Sequence, residues 1–128
     1  MTQQLRDLMA AIRAKPDDDT PRQVLADFYE EQGRATRADF VRAQLLRASV
    51  SRLDPGWLEL ELAQRALHGH GDAWRRELPS IEGVRWGSFR RGLVGSVAFD
   101  DVALVPQHIE AVMRTANVSS LSRFITWG

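Results

Sequence analysis

The chain has 128 residues, with 17 basic against 17 acidic side chains and a formal net charge of zero, which excludes the histone-like polycation and the acidic tail as whole-chain classes. Hydrophobic residues at 44%, with four Trp and five Phe, supply a core for one domain, and a chain of this size buries roughly two thirds of its unfolded surface without covalent staples. Cysteine is absent, so disulfides, zinc ribbons and thiol nucleophiles drop out.

Residues 4–14 carry Leu5, Leu8, Met9 and Ile12, the i, i+3, i+4, i+7 stripe of an amphipathic helix, and Pro16 ends it. After the acidic loop Asp17, Asp18, Asp19, the residues Thr20 and Pro21 read as N-cap and N1 of a second helix. Its predicted buried face is Val24, Leu25, Phe28, Tyr29 and Gln32, with Asp27, Glu30 and Glu31 opposite and Gly33 as the left-handed stop. Thr36 is expected to cap a third helix with Asp39 at N3. Phe40, Val41, Leu45 and Ala48 would form its stripe, with Arg42 and Arg47 off it. A fourth helix begins at Asp54 and Pro55. Its apolar residues fall on two sides, Trp57, Leu60 and Leu67 against Leu58, Leu62 and Ala66, so it is predicted to lie between two layers. The stretch His68, Gly69, His70, Gly71 breaks the pattern, and Asp72 caps a brief helical turn through Trp74 and Leu78 that ends at Pro79.

From Val84 the pattern becomes strand-like, with Trp86 and Phe89 flanking Gly87 as in a hairpin or bent edge. Residues 93–99 alternate as a buried strand, Pro106 opens a helix whose face is Ile109, Val112, Met113 and Ala116, and 121–127 reads as a further strand. Leu93 and Leu121, Val97 and Ile125, and Phe99 and Trp127 are each 28 residues apart. A strand, a helix and a strand at that spacing match one leucine-rich-type repeat, with parallel strands and a crossover helix. The predicted fold class is therefore α+β, a helical bundle module over 1–78 followed by a short β-α-β unit within 79–128. Such units are stable when stacked. Because Gly128 follows the second strand directly, that edge is expected to need a cover.

The run Val24, Leu25, Ala26, Asp27, Phe28, Tyr29, Glu30, Glu31, Gln32, Gly33, continued by Asp39, Phe40, Val41, Arg42, Ala43, Gln44 and Leu45, resembles the small helical repeat-companion domain that precedes leucine-rich-type repeats in certain bacteria. Tyr29 stands where that family usually has Leu, and Ala38 where Gly is common. The later Arg91, Gly92, Leu93, Val94 resembles the start of the family's first repeat strand. The resemblance implies a non-catalytic adaptor or cap on a repeat array, and it carries no catalytic residue or cofactor with it.

Four groups are candidates for function. The terminal strand, with Leu121, Arg123, Ile125 and Trp127, would offer unpaired backbone and apolar side chains to another protein or to a second copy of the chain. Arg75, Arg76, Arg85, Arg90 and Arg91, interleaved with Trp74, Trp86 and Phe89, outnumber Glu77 and Glu82 within 74–91; guanidinium groups among aromatics suit single-stranded nucleic acid, and equally suit a core whose arginines pair with distant acids. His68, His70 and Asp72 are a weak metal-ligand set, readable also as an ordinary helix end. Asp17, Asp18 and Asp19 lack the alternation and distal Glu of a calcium loop. No nucleophile elbow or phosphate-binding glycine loop occurs, and His108 has no evident catalytic partner, so the expectation is a protein-interaction module with no enzymatic activity and no cofactor. No apolar run approaches a membrane span and no signal-like segment is present, so a soluble cytoplasmic chain is expected.

Overall fold

The computed structural model describes residues 2–115 and 120–124. The first half is four helices, α1 Gln3–Ala14, α2 Thr20–Glu31, α3 Ala35–Ser49 and α4 Trp57–Ala66. A 3-10 turn, His68–His70, leads into the short α5 Gly71–Arg76, and a second, Val102–Leu104, precedes the last helix. The strands are β1 Val84–Trp86, β2 Phe89–Arg90, β3 Leu93–Val94 and β4 Ser96–Phe99, followed by α6 Val105–Thr115 and β5 Ser120–Phe124. This is an α+β chain with an N-terminal helical part. No helix among the described residues is long and apolar enough to cross a membrane.

The helix boundaries follow from local chemistry, with shifts of one or two residues from the sequence reading. Thr2 Oγ1 accepts the Leu5 N–H and caps α1. The N-cap of α2 is Asp19, which makes no side-chain cap bond, so Thr20 is already helical and not the N-cap; its N–H donates to the Asp18 carboxylate at 2.9 Å. Gly33 has φ 76. The Arg34 N–H reaches the Tyr29 carbonyl and the Gly33 N–H the Glu30 carbonyl, the paired bonds of a Schellman stop. α3 begins at Ala35, placing Thr36 inside the helix and not at its cap. α4 starts after an Asx-type turn in which Asp54 Oδ1 accepts the Gly56 N–H.

The buried faces differ from the predicted ones in an instructive way. On α2 the buried residues are Arg22, Leu25, Ala26, Phe28 and Tyr29, whereas Val24 is 44% exposed and Gln32 is exposed. The buried stripe is rotated toward α3, which contributes Arg37, Ala38, Phe40, Val41, Gln44 and Leu45; Ala48 lies outside it. Asp27 and Glu30 lie outside the core and together hold Arg42, at 2.8 and 3.1 Å. α4 buries none of its residues, and Leu58 and Leu62 are more than half exposed. It packs on α3 from one side only, so it is an outer helix and not the two-layer bridge that its apolar pattern predicted. A helix with apolar residues on two sides is buried only if a second surface meets it, and none among the described residues does.

The described residues of the β part form two small sheets. β1, β4 and β5 make a three-stranded sheet in the order β1-β4-β5, with β1 antiparallel and β5 parallel to β4. β2 and β3 form a separate antiparallel hairpin. The predicted continuous strand over 93–99 is therefore divided at Gly95, with β3 and β4 belonging to different sheets. The parallel strand-helix-strand unit is present, but its register is not 28. Ser96 aligns with Ser120 and Val97 with Leu121, then Ala98 with Arg123 and Phe99 with Phe124 across an irregularity. The offset is thus 24 residues before the irregularity and 25 after it, because β5 begins at Ser120 and an extra residue bulges in the middle of the pair. Ala116, Ile125 and Trp127, which the sequence reading had used, lie outside the described residues.

Two apolar cores result among the described residues. One is helical, built on Ile12, Leu25, Val41 and Leu45, and also takes Leu93. The other contains Val94, Val97, Phe99 and Val112. The division between them falls between Leu93 and Val94, neighbours on the β3 backbone that face opposite ways.

Candidate functional site

The hairpin β2–β3 is where the two halves meet, and it is fastened by three polar residues of the helical part. Its loop is Arg91 and Gly92, with φ 50 and 95, between the paired residues Arg90 and Leu93. Positive φ at both central positions is what the two-residue I′ loop requires. Gly92 fits without strain, and its missing side chain also matters, since a Cβ there would stand 2.7 Å from Val41 Cγ1. Arg91 adopts φ 50 at a cost of about 1 kcal/mol. Its guanidinium offsets that cost by donating to the Pro16 carbonyl at 2.7 Å, the Asp17 carbonyl at 3.1 Å and the Asp19 carboxylate.

Gln44, buried on α3, donates to the Phe89 carbonyl at 3.3 Å and accepts the Gly92 N–H at 2.7 Å. Arg22, buried on α2, donates to the Arg91 carbonyl at 2.8 Å and the Arg90 carbonyl at 3.5 Å, and also to the Pro16 carbonyl at 3.3 Å. Burial, and after it the nearby Arg91 charge, push Arg22 down to about 10, while Asp19 opposes the shift. It remains charged at neutral pH. Phe89 then packs edge-on to Phe40 at 5.2 Å and to Trp74 at 6.1 Å, each such ring pair contributing about 1 kcal/mol beyond its buried area.

These contacts account for much of the motif that extends from Val24 to Leu45 and for Arg91, Gly92, Leu93, Val94. Leu25, Phe28, Tyr29, Phe40 and Val41 are core. Asp27, Glu30 and Arg42 tie α2 to α3, Gly33 stops α2, and Gln44 holds the hairpin whose turn is Arg91 and Gly92. The conformational and packing demands of one joint explain the residue types at these positions.

The five arginines of 74–91 do not assemble into one surface. Arg75 donates to the Gly87 carbonyl and pairs with Asp72 at 2.9 Å, Arg85 pairs with Asp100 at 3.0 Å, and Arg91 is held by the 16–19 loop. Arg75 and Arg76 line a cleft of about 430 Å³ beside Trp86, whereas Arg90 and Arg91 line a different one of about 380 Å³ with Arg47, Gln44 and Phe89. Trp86 turns its indole N–H to the Pro79 carbonyl. In the HGHGD segment, the His70 ring stacks on Trp74 at 5.5 Å and Asp72 is engaged with Arg75; no group of three His, Asp or Glu side chains capable of holding a metal converges among the described residues. The His68 side chain lies outside the described residues.

At the other end of the β part, β5 occupies the edge of its sheet, next to β4. Leu121 and Arg123 lie on this strand, aligned with Val97 and Ala98. Comparison with protein-family models, curated proteins and solved structures found no match to this chain.

Sequence reasoning missed Arg22, Gln44 and the third buried polar residue, Arg37. The signal was present. Arg22 stands at i with Leu25, Ala26 and Tyr29 at i+3, i+4 and i+7, and Arg37 stands likewise with Phe40, Val41 and Gln44. A polar side chain on an apolar stripe must be paired or pay for desolvation, so its position marks an anchor.

Proposed function

We propose that the chain is a non-catalytic protein-interaction module, an adaptor or capping subunit of the repeat-companion type, acting in the cytoplasm. The observation that carries this reading is the edge position of β5 in the order β1-β4-β5. An edge strand presents one row of backbone donors and acceptors, the template on which another strand adds. The helical part supports the same reading through Leu58 and Leu62, one turn apart on α4 and exposed by 61% and 56%. The alternative, nucleic-acid binding through Arg75, Arg76, Arg85, Arg90 and Arg91, has less support, because three of these are engaged with acids of the same chain.

The test is site-specific photo-crosslinking of the full chain in the organism that encodes it, with the photoreactive residue at Leu121 or, as reference, at the exposed Arg6. A discrete adduct from position 121 that is lost when Ser120 and Ser122 become lysine, the residue natural edges use as a guard, is expected. Equal labelling from both positions, or none from 121, overturns the reading. Sedimentation over about 1 to 100 μM separates a second copy from a different partner.

A further inference from the structure

Arg37 sits on the buried stripe of α3 with 5% of its surface exposed. Its guanidinium carbon lies 4.9 Å from the centre of the Tyr29 ring, 5.0 Å from Trp74, 5.3 Å from Phe89 and 5.8 Å from Phe40. Ring faces stabilise a cation, but they leave unmet the in-plane N–H groups that a guanidinium carries. Among the described residues, Arg37 Nη1 has no hydrogen-bond partner. Burial holds Arg37 below the ordinary guanidinium range, with the Tyr29 hydroxyl opposing that shift. A buried charged donor left unmet costs more than a neutral one.

Arg37 lines a cleft of about 120 Å³ whose walls include Leu5, Met9, Leu78, Leu93 and Val94. Glu77, in the same wall, gives both carboxylate oxygens to Arg34, at 2.6 and 2.8 Å. The space is comparable to the cavity of about 150 Å³ that is enough to hold benzene. Mostly apolar walls with one or a few placed polar groups are the usual make-up of a small-molecule site.

We propose that this cleft binds a small organic acid, its carboxylate paired with Arg37 and its compact apolar body, a short branched chain or a single ring, set among Leu5, Met9 and Leu93. A planar carboxylate matches the guanidinium fork. A phosphate, more strongly charged and hydrated, would leave too much of itself against apolar wall. This site is separate from β5 and its existence does not depend on the interaction reading.

The experiment is titration of the full chain with 3-methylbutyrate and with benzoate, each beside its neutral carboxamide, followed by calorimetry and by methyl NMR. At least one acid binds saturably with Kd of about 0.1 to 1 mM, its amide binds about tenfold more weakly or worse, and the Leu5, Met9 and Leu93 methyl signals move. In Arg37→Met, which keeps side-chain bulk and removes charge, the acid falls to the level of its amide. Should that variant not fold, the acid-to-amide ratio and the shift map of the unaltered chain decide alone. No saturable binding of either acid up to about 10 mM, equal affinity for acid and amide, or shifts confined to residues outside the cleft would overturn the proposal.

Discussion

Replacing Gln44 with leucine tests the joint between the helical and β parts most directly. The side chain keeps nearly the same volume, but the Gly92 N–H loses a buried acceptor at 2.7 Å and the Phe89 carbonyl a weaker donor at 3.3 Å. An unsatisfied buried amide costs about 1 to 3 kcal/mol, the long bond adds about 0.5, and the extra apolar surface of leucine returns part of this. The expected loss is about 2 kcal/mol. For a domain of this size that lowers Tm by about 8 °C. Urea unfolding measures the free energy, and amide exchange shows where the loss acts, since the Gly92 amide should exchange faster while those in the middle of α1 do not outpace the global change. A loss below about 0.5 kcal/mol, or an unchanged Gly92 exchange rate relative to global unfolding, would show that the amide does not hold the hairpin.

Gly92→Ala should cost about 3 kcal/mol by urea unfolding, because the new Cβ meets Val41 Cγ1 at 2.7 Å at a φ of 95; a neutral result would mean that α3 can yield there. Asp18 is held below its usual value of 3.8, first by the Thr20 N–H and then by the Thr20 hydroxyl. A carboxyl lowered in the folded state contributes stability above its unfolded pKa and loses it as pH falls through the folded value. The Tm gap between the unaltered chain and Asp18→Ala should therefore be full at neutral pH and shrink below pH 3.8, and a gap independent of pH would contradict the bond from Thr20 to the Asp18 carboxylate. With Arg75, Arg85 and Arg91 engaged internally, titration with single-stranded DNA at about 50 mM salt should give no binding. Affinity that falls steeply with added salt would restore the arginine surface.

The sequence by itself determined the local elements and their order. Helical periodicity marked α1 to α3, Gly33 marked the stop of α2, and strand, helix and strand patterns were legible beyond residue 93, since each depends on neighbouring residues; the division of 93–99 between two sheets was not. Tertiary structure decided the rest. The register of β4 and β5 settled at offsets of 24 and 25 through a bulge, which no count of like residues reveals. Leu58 and Leu62 stayed exposed because an apolar stripe is buried only when another surface arrives to cover it. Arg22 and Gln44 went inside because carbonyl and amide groups of a hairpin 45 to 69 residues away came to meet them, and Arg37 because four rings from α2, α3, α5 and β2 closed around it. Periodicity states which face of an element is apolar; only the assembled chain states which polar groups that face can satisfy.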